Sequence, residues 1–119
     1  MRVPSVRVPV GMLSGGQRQA VAVARALAQG SRIILMDEPT AALGVRERAH
    51  VLDLVQELRD QGRTVVVISH DLETIFDVSD SIQVMRLGRR VGFRRTVDTN
   101  RQEIVALITG SLSADEEPS

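Results

Sequence analysis

Ile33-Ile34-Leu35-Met36-Asp37-Glu38-Pro39-Thr40 is a continuous apolar run that ends in two carboxylates and a proline. Four apolar residues in a row, bounded by turn formers, suit a strand buried on both faces. A second run, Thr64-Val65-Val66-Val67-Ile68, is β-branched and passes directly into Ser69-His70-Asp71. Between them, Val45 to Gln61 carries Val51, Leu52, Leu54, Val55 and Leu58 at helical spacing, and Gly62 stops it. Strand, helix, strand is the repeating unit of a parallel sheet. The fold class read from this pattern is α/β, a mostly parallel sheet flanked by helices. Such sheets place their ligands at the carboxyl ends of their strands. Asp37, Glu38, Ser69 and His70 are therefore expected to converge on one edge.

Outward from this unit, Ser14 suits the N-cap of a helix from about Gly15 to Gln29, which Gly30 ends. Residues 1–13 form an extended, Pro-containing leader. Downstream, Asp71 starts a short helix to about Val78. Ile82 to Leu87 is a third strand, and Gly88-Arg89-Arg90 turns it into a fourth, Val91 to Thr96. A last helix runs from about Asn100 to Thr109. The expected organisation is one domain over 1–110 and a disordered acidic tail over 111–119.

The bulk properties narrow the class. The 119 residues can enclose one small core, and with 2% aromatics that core is aliphatic. Fifteen basic and fifteen acidic side chains balance, so net charge gives no pull toward nucleic acid or an anionic membrane. The absence of cysteine excludes disulfides and thiolate metal sites. His50 and His70 lack metal-ligand spacing, and His50, inside a helix, is read as structural. Met1 to Val10 is too broken by Arg and Pro to be a signal segment, and every apolar run is too short to span a bilayer. A membrane role would need another chain to do the spanning. Arg86, Arg89, Arg90, Arg94 and Arg95 crowd the last hairpin, but only Phe93 accompanies them, so the stretch reads as a solvated turn and no nucleic-acid partner is expected.

Each polar string has a plain reading and a chemical one. Ser14-Gly15-Gly16 is either a simple cap with flexible glycines or a helix start whose bare N–H groups and dipole hold an anion. An Asp-Glu pair after a strand is, taken alone, more often a solvated loop. It can also pair a metal-holding carboxylate with one that takes a proton from water. A lone histidine after a strand is usually structural, yet its imidazole can donate a hydrogen bond to a phosphate oxygen.

In order, Leu13-Ser14-Gly15-Gly16-Gln17 with its continuation through Leu27, then Leu35-Met36-Asp37-Glu38-Pro39-Thr40, then Ile68-Ser69-His70-Asp71 resemble the C-terminal half of an ATP-binding cassette (ABC) ATPase. The resemblance spans about residues 3–110 and implies a partial P-loop NTPase fold. It assigns Asp37 to magnesium, Glu38 to water activation and His70 to the terminal phosphate. It makes Ser14, Gly15, Gly16 and Gln17 the signature motif, which contacts nucleotide held by an opposite subunit. No G-x-x-x-x-G-K-[ST] loop occurs in these 119 residues. The resemblance places the strand preceding that loop between Thr64–Ile68 and Ile82–Leu87, so a gap and open apolar faces are expected in the sheet. ATP and Mg²⁺ are expected only in a completed site, and the chain alone is expected to be inactive. The implied partners are a second ABC ATPase subunit or the missing N-terminal half, and transmembrane permease subunits, at the cytoplasmic face of the cell membrane.

Ala41-Ala42-Leu43-Gly44 departs from the family, which carries Asp where Gly44 stands. With Val84-Met85-Arg86-Leu87-Gly88-Arg89-Arg90-Val91, it resembles the ATPases of bacterial monosaccharide importers of the ribose, xylose and fructose kind. Two other readings remain open. One is a non-catalytic module that pairs with a complete ABC ATPase. The other is an ABC ATPase of the DNA-repair or translation class, against which stand the short Gly30–Arg32 link, the lack of heptads and the neutral charge.

Overall fold

A computed structural model describes residues 15–115, so the leader 1–13, Ser14 and residues 116–119 lie outside the described residues. The chain divides into two compact units, one up to Val78 and one from Ser79 onward.

In the first unit, helix α1 (Gly15–Ala28) is followed by β1 (Ile33–Asp37), α2 (Val45–Asp60), β2 (Thr64–Ile68) and α3 (Leu72–Val78). The helix ends follow from glycine. Gly30 and Gly62 adopt left-handed φ, which costs them no Cβ clash. The N–H of Gly30 then reaches Leu27 O, that of Ser31 reaches Ala26 O, and the N–H groups of Gly62 and Arg63 repeat the pattern on Arg59 O and Leu58 O. The start of α2 has no side-chain cap bond at Gly44. Such a cap is worth about 1 kcal/mol. Each fully buried Val or Leu contributes roughly 1.5–3 kcal/mol, so packing of Val51, Leu54, Val55 and Leu58 is what holds α2 in place.

β1 and β2 pair in parallel, with Ile33 opposite Thr64 and Asp37 opposite Ile68. Ile34 and Met36 point into a core with Ala20 and Val23 of α1 and the buried residues of α2. Their neighbours do not. Ile33 is 67% and Leu35 64% exposed, and Val66 and Ile68 share that open face. The strands expected to be buried are thus covered on one face, and the other is an open apolar face of the kind also expected from the sequence. Side chains alternate across a strand with period two, and among the described residues the helices cover only one of the two faces.

The second unit holds β3 (Ser81–Arg86), β4 (Arg89–Arg95), a single 3₁₀ turn (Thr96–Asp98) and α4 (Arg101–Thr109). The hairpin is antiparallel, with a bulge where the register shifts after Val84. Its turn is Leu87-Gly88, both at positive φ (51° and 77°), as a two-residue type I′ turn requires. The turn expected over 88–90 is thus a shorter one over 87–88, and Arg89 and Arg90 belong to the strand. Ile82, Val84 and Val91 pack with Ile104 and Leu107 of α4 as the buried apolar residues of this unit. Asn100 caps α4 by accepting from the Glu103 N–H at 2.9 Å. Residues 111–115 of the acidic segment lie inside the described region. There the Asp115 N–H donates to Val91 O, and its carboxylate receives both terminal nitrogens of Arg94.

β1–β2 and β3–β4 are separate two-stranded sheets, and parallel pairing is confined to the first. Helices with small sheets, one of them parallel, are the α/β class expected of a partial P-loop NTPase fold.

Candidate functional site

The β1–β2 pairing dictates the site. Parallel strands in register bring Asp37 and Glu38 beside Ile68 and Ser69 at their carboxyl ends. The ladder continues one step further, with the Glu38 N–H donating to Ile68 O at 2.6 Å. At that point the backbone turns. Glu38 sits at φ 50°, a left-handed conformation that costs a non-glycine residue roughly 1–2 kcal/mol. Its side chain is thereby delivered to the residues leaving β2.

Three groups hold the Glu38 carboxylate. His70 Nδ1 lies 2.7 Å from Oε1, and the His70 N–H donates to the same oxygen at 3.2 Å. Ser69 Oγ donates to Oε2 at 3.3 Å. The His70 side-chain hydrogen bond, aided by its N–H, its charge and Ser69, outweighs partial desolvation and holds the Glu38 carboxyl below the ordinary glutamate value. A carboxylate only accepts, so Nδ1 carries the proton. In the neutral ring Nε2 is then an acceptor, and the ring donates outward from Nε2 only as the imidazolium. His70 is 89% exposed at its side chain, so Nε2 has access to a ligand.

Behind this cluster, Asp71 caps α3. It accepts from the Glu73 N–H at 3.1 Å and from Thr74 Oγ1 at 2.8 Å, and the Thr74 bond is the main reason its carboxyl lies below the ordinary aspartate value. Its own N–H donates to Ser69 Oγ at 3.0 Å.

Of the residues singled out from sequence, Glu38 and His70 are in contact. Asp37 is the exposed last residue of β1, next to them in the chain. Gly15 and Gly16 open α1, followed by Gln17, and Ser14 lies outside the described residues. His50 sits on α2, as read. Gly44 precedes α2, and a Cβ there would meet Glu47 Oε2 at 2.8 Å. The space an Asp side chain would take at this position is occupied by Glu47 folding back from the third helical position. Sequence reasoning gave no role to Thr40, Arg48 or Thr74, which pack behind the site. The one visible signal was Asp71 followed three residues later by Thr74, a capping pattern.

Among the described residues no group of three His, Cys, Asp or Glu side chains could hold a metal ion. That does not exclude magnesium at Asp37, because Mg²⁺ keeps several waters and is commonly held by one or two carboxylates together with substrate phosphates. No helix among the described residues is long and apolar enough to cross a membrane.

Comparison with known proteins follows the same lines. The ABC transporter family model matches residues 2–41. The chain is 45% identical over 117 residues to the fructose import ATP-binding protein FrcA of Rhizobium meliloti, a match covering 98% of this chain and 45% of that protein. It is 43% identical over 109 residues to the xylose/arabinose import ATP-binding protein XylG of Sulfolobus acidocaldarius, covering 92% of this chain and 43% of that one. The ribose import ATP-binding protein RbsA of Chromobacterium violaceum is 44% identical over 91% of this chain and 22% of its own length. The chain thus spans less than half the length of these relatives. Among solved structures, a nucleotide-free ATP-binding cassette from an ABC transporter superposes with a TM-score of 0.68 at 31% identity, covering 82% of this chain and 37% of that one. A dimeric cassette in a post-hydrolysis state with ADP and Pi superposes with a TM-score of 0.59 at 36% identity, covering 72% and 37%. Nearly the whole sequence is thus similar to sugar-import ATP-binding proteins, and its fold is similar to part of the solved ATP-binding cassettes of ABC transporters.

Proposed function

We propose that this chain supplies the water-activating and signature portion of an ABC ATPase that energises the import of a monosaccharide. The observation that carries the reading is the contact of Glu38 with His70 and Ser69 at the carboxyl ends of two parallel strands. In this reading Glu38 takes the proton of an attacking water and Asp37 holds magnesium. Bound MgATP supplies the phosphoanhydride to be cleaved and the cation that screens its charge. His70 orients Glu38 through Nδ1 and, as the imidazolium, presents Nε2–H toward the anionic centre. Gly15, Gly16 and Gln17 begin a helix of the kind that favours an anion at its N-terminus, and together with Ser14 they act on nucleotide held by a second ATPase subunit. The similarity to fructose, xylose and ribose import proteins supports the substrate class.

The open face of Ile33, Leu35, Val66 and Ile68 supports its being covered by further ABC ATPase polypeptide that contributes the phosphate loop. The assembled ATPase works on permease subunits at the cytoplasmic side of the membrane.

The test is reconstitution. Joined with the N-terminal half of FrcA, the chain hydrolyses MgATP, and Glu38→Gln lowers the rate by about 10²-fold or more. Without that half the chain shows no turnover. Turnover by the chain alone, or an unchanged rate in the Glu38→Gln variant, refutes the proposal.

A further inference from the structure

Among the described residues of the first unit, the two most buried polar residues lie behind the candidate site, not in it. Thr74 is 1% and Thr40 7% exposed, and their hydroxyls are 3.0 Å apart. Thr40 follows Glu38 by two residues, and Thr74 follows His70 by four. One hydroxyl pair therefore bridges the loop leaving β1 to the helix that starts after β2.

The proton inventory at Thr74 closes. Its single O–H donates to Asp71 Oδ2 at 2.8 Å. Its oxygen then accepts, from Arg48 Nη2 at 3.3 Å and from the Thr40 O–H. Arg48 continues to Asp77 at 3.1 Å and lies 4.0 Å from both Asp71 and Glu73, fastening α3 to α2. From Asp71 the chain of bonds returns to the reacting pair, since the Asp71 N–H donates to Ser69 Oγ and Ser69 Oγ donates to Glu38 Oε2. Burying two hydroxyls costs desolvation that a valine at either position would avoid. What the hydroxyls add is geometry, a fully satisfied polar hub at the point where three segments meet.

We propose that Thr74, seated by Thr40 and Arg48, is a positioning residue for the Glu38–His70 pair, acting through Asp71 and Ser69. The inference rests on the reading of Glu38 and His70 as the reacting pair, but its test needs no nucleotide. The chain has two histidines, and His50 on exposed α2 surface is an internal reference for His70.

In ¹⁵N spectra of the full chain, His70 shows a preference for Nδ1–H that His50 lacks, and Glu38→Gln removes it. Thr74→Val, which keeps shape and deletes the hydroxyl, shifts His70 most of the way to the His50 pattern and leaves His50 unmoved. Thr74→Ser restores the original His70 signals. Should Thr74→Val fail to fold, Thr40→Val carries the same test, with a smaller shift in the same direction. A folded Thr74→Val or Thr40→Val chain with unchanged His70 signals overturns the proposal. So does equal movement of His50 and His70, which would mark general loosening. Failure of the reconstituted ATPase, by contrast, would sink the functional reading while leaving these spectra as they are.

Discussion

The two units of this chain use the same aliphatic alphabet to different ends. In the unit of β3, β4 and α4, the inward residues of the hairpin meet Ile104 and Leu107, and Gly92 approaches Leu107 so closely that a Cβ would lie 2.7 Å from its Cδ1. In the unit of β1 and β2, helices cover one face, while the other presents Ile33 and Leu35 at more than 60% exposure. The difference teaches that an apolar run reports how many faces a strand is suited to bury, not how many its own chain buries. The hairpin packs its inward row against α4, and its outer face sets the exposed Met85 and Phe93 opposite the polar Arg90 and Gln83. The parallel pair has a surface that asks for more polypeptide, and this is the same unit that carries Asp37, Glu38 and His70.

The contrast can be broken or sharpened by substitution. Leu107→Ala, at 1% exposure, should cost about 2–5 kcal/mol in hydrogen-exchange protection of the β3, β4 and α4 amides. A loss under about 1 kcal/mol would mean that the second unit has no tight core. Gly92→Val should cost roughly 1–3 kcal/mol by overpacking against Leu107, read in the same exchange experiment. On the open face, Leu35→Thr combined with Val66→Thr should change stability by less than about 0.5 kcal/mol each. The pair should also reduce self-association measured by sedimentation or light scattering. If denaturant unfolding instead shows a loss as large as that of Leu107→Ala, the face is packed and the comparison collapses.

Acid provides a gentler comparison, because each unit carries one aspartate held below its ordinary value. Asp71 is held there first by its hydrogen bond from Thr74, and Asp115 first by its hydrogen bond from Arg94. A depressed folded value means that each contributes stability above the unfolded value, near 3.8, and loses it as pH falls through the lower folded value. Between about pH 5 and pH 2, Asp71→Asn should flatten the decline in amide protection of α3, and Asp115→Asn that of β4. Both residues are well exposed, so the effects are smaller than those of the core substitutions. Parallel curves for variant and parent would show that neither bond persists in solution.

What the sequence determined by itself is local. Helix ends at Gly30 and Gly62, the strands Ile33–Asp37 and Thr64–Ile68, the Asp71 cap and the order of elements follow from backbone preference and side-chain period, which act over a few residues. The meeting of Glu38 with Ser69 and His70 was foreseeable in outline, because parallel strands deliver their carboxyl ends to one edge. Tertiary structure alone decided the rest. It chose which face of β1 and β2 is covered, set Glu38 in a left-handed turn, and joined Thr40, Arg48 and Thr74 across separations of 26 and 34 residues. Those contacts leave no periodic trace in the chain, since a buried hydroxyl or guanidinium finds its partners only after the segments that carry them have packed.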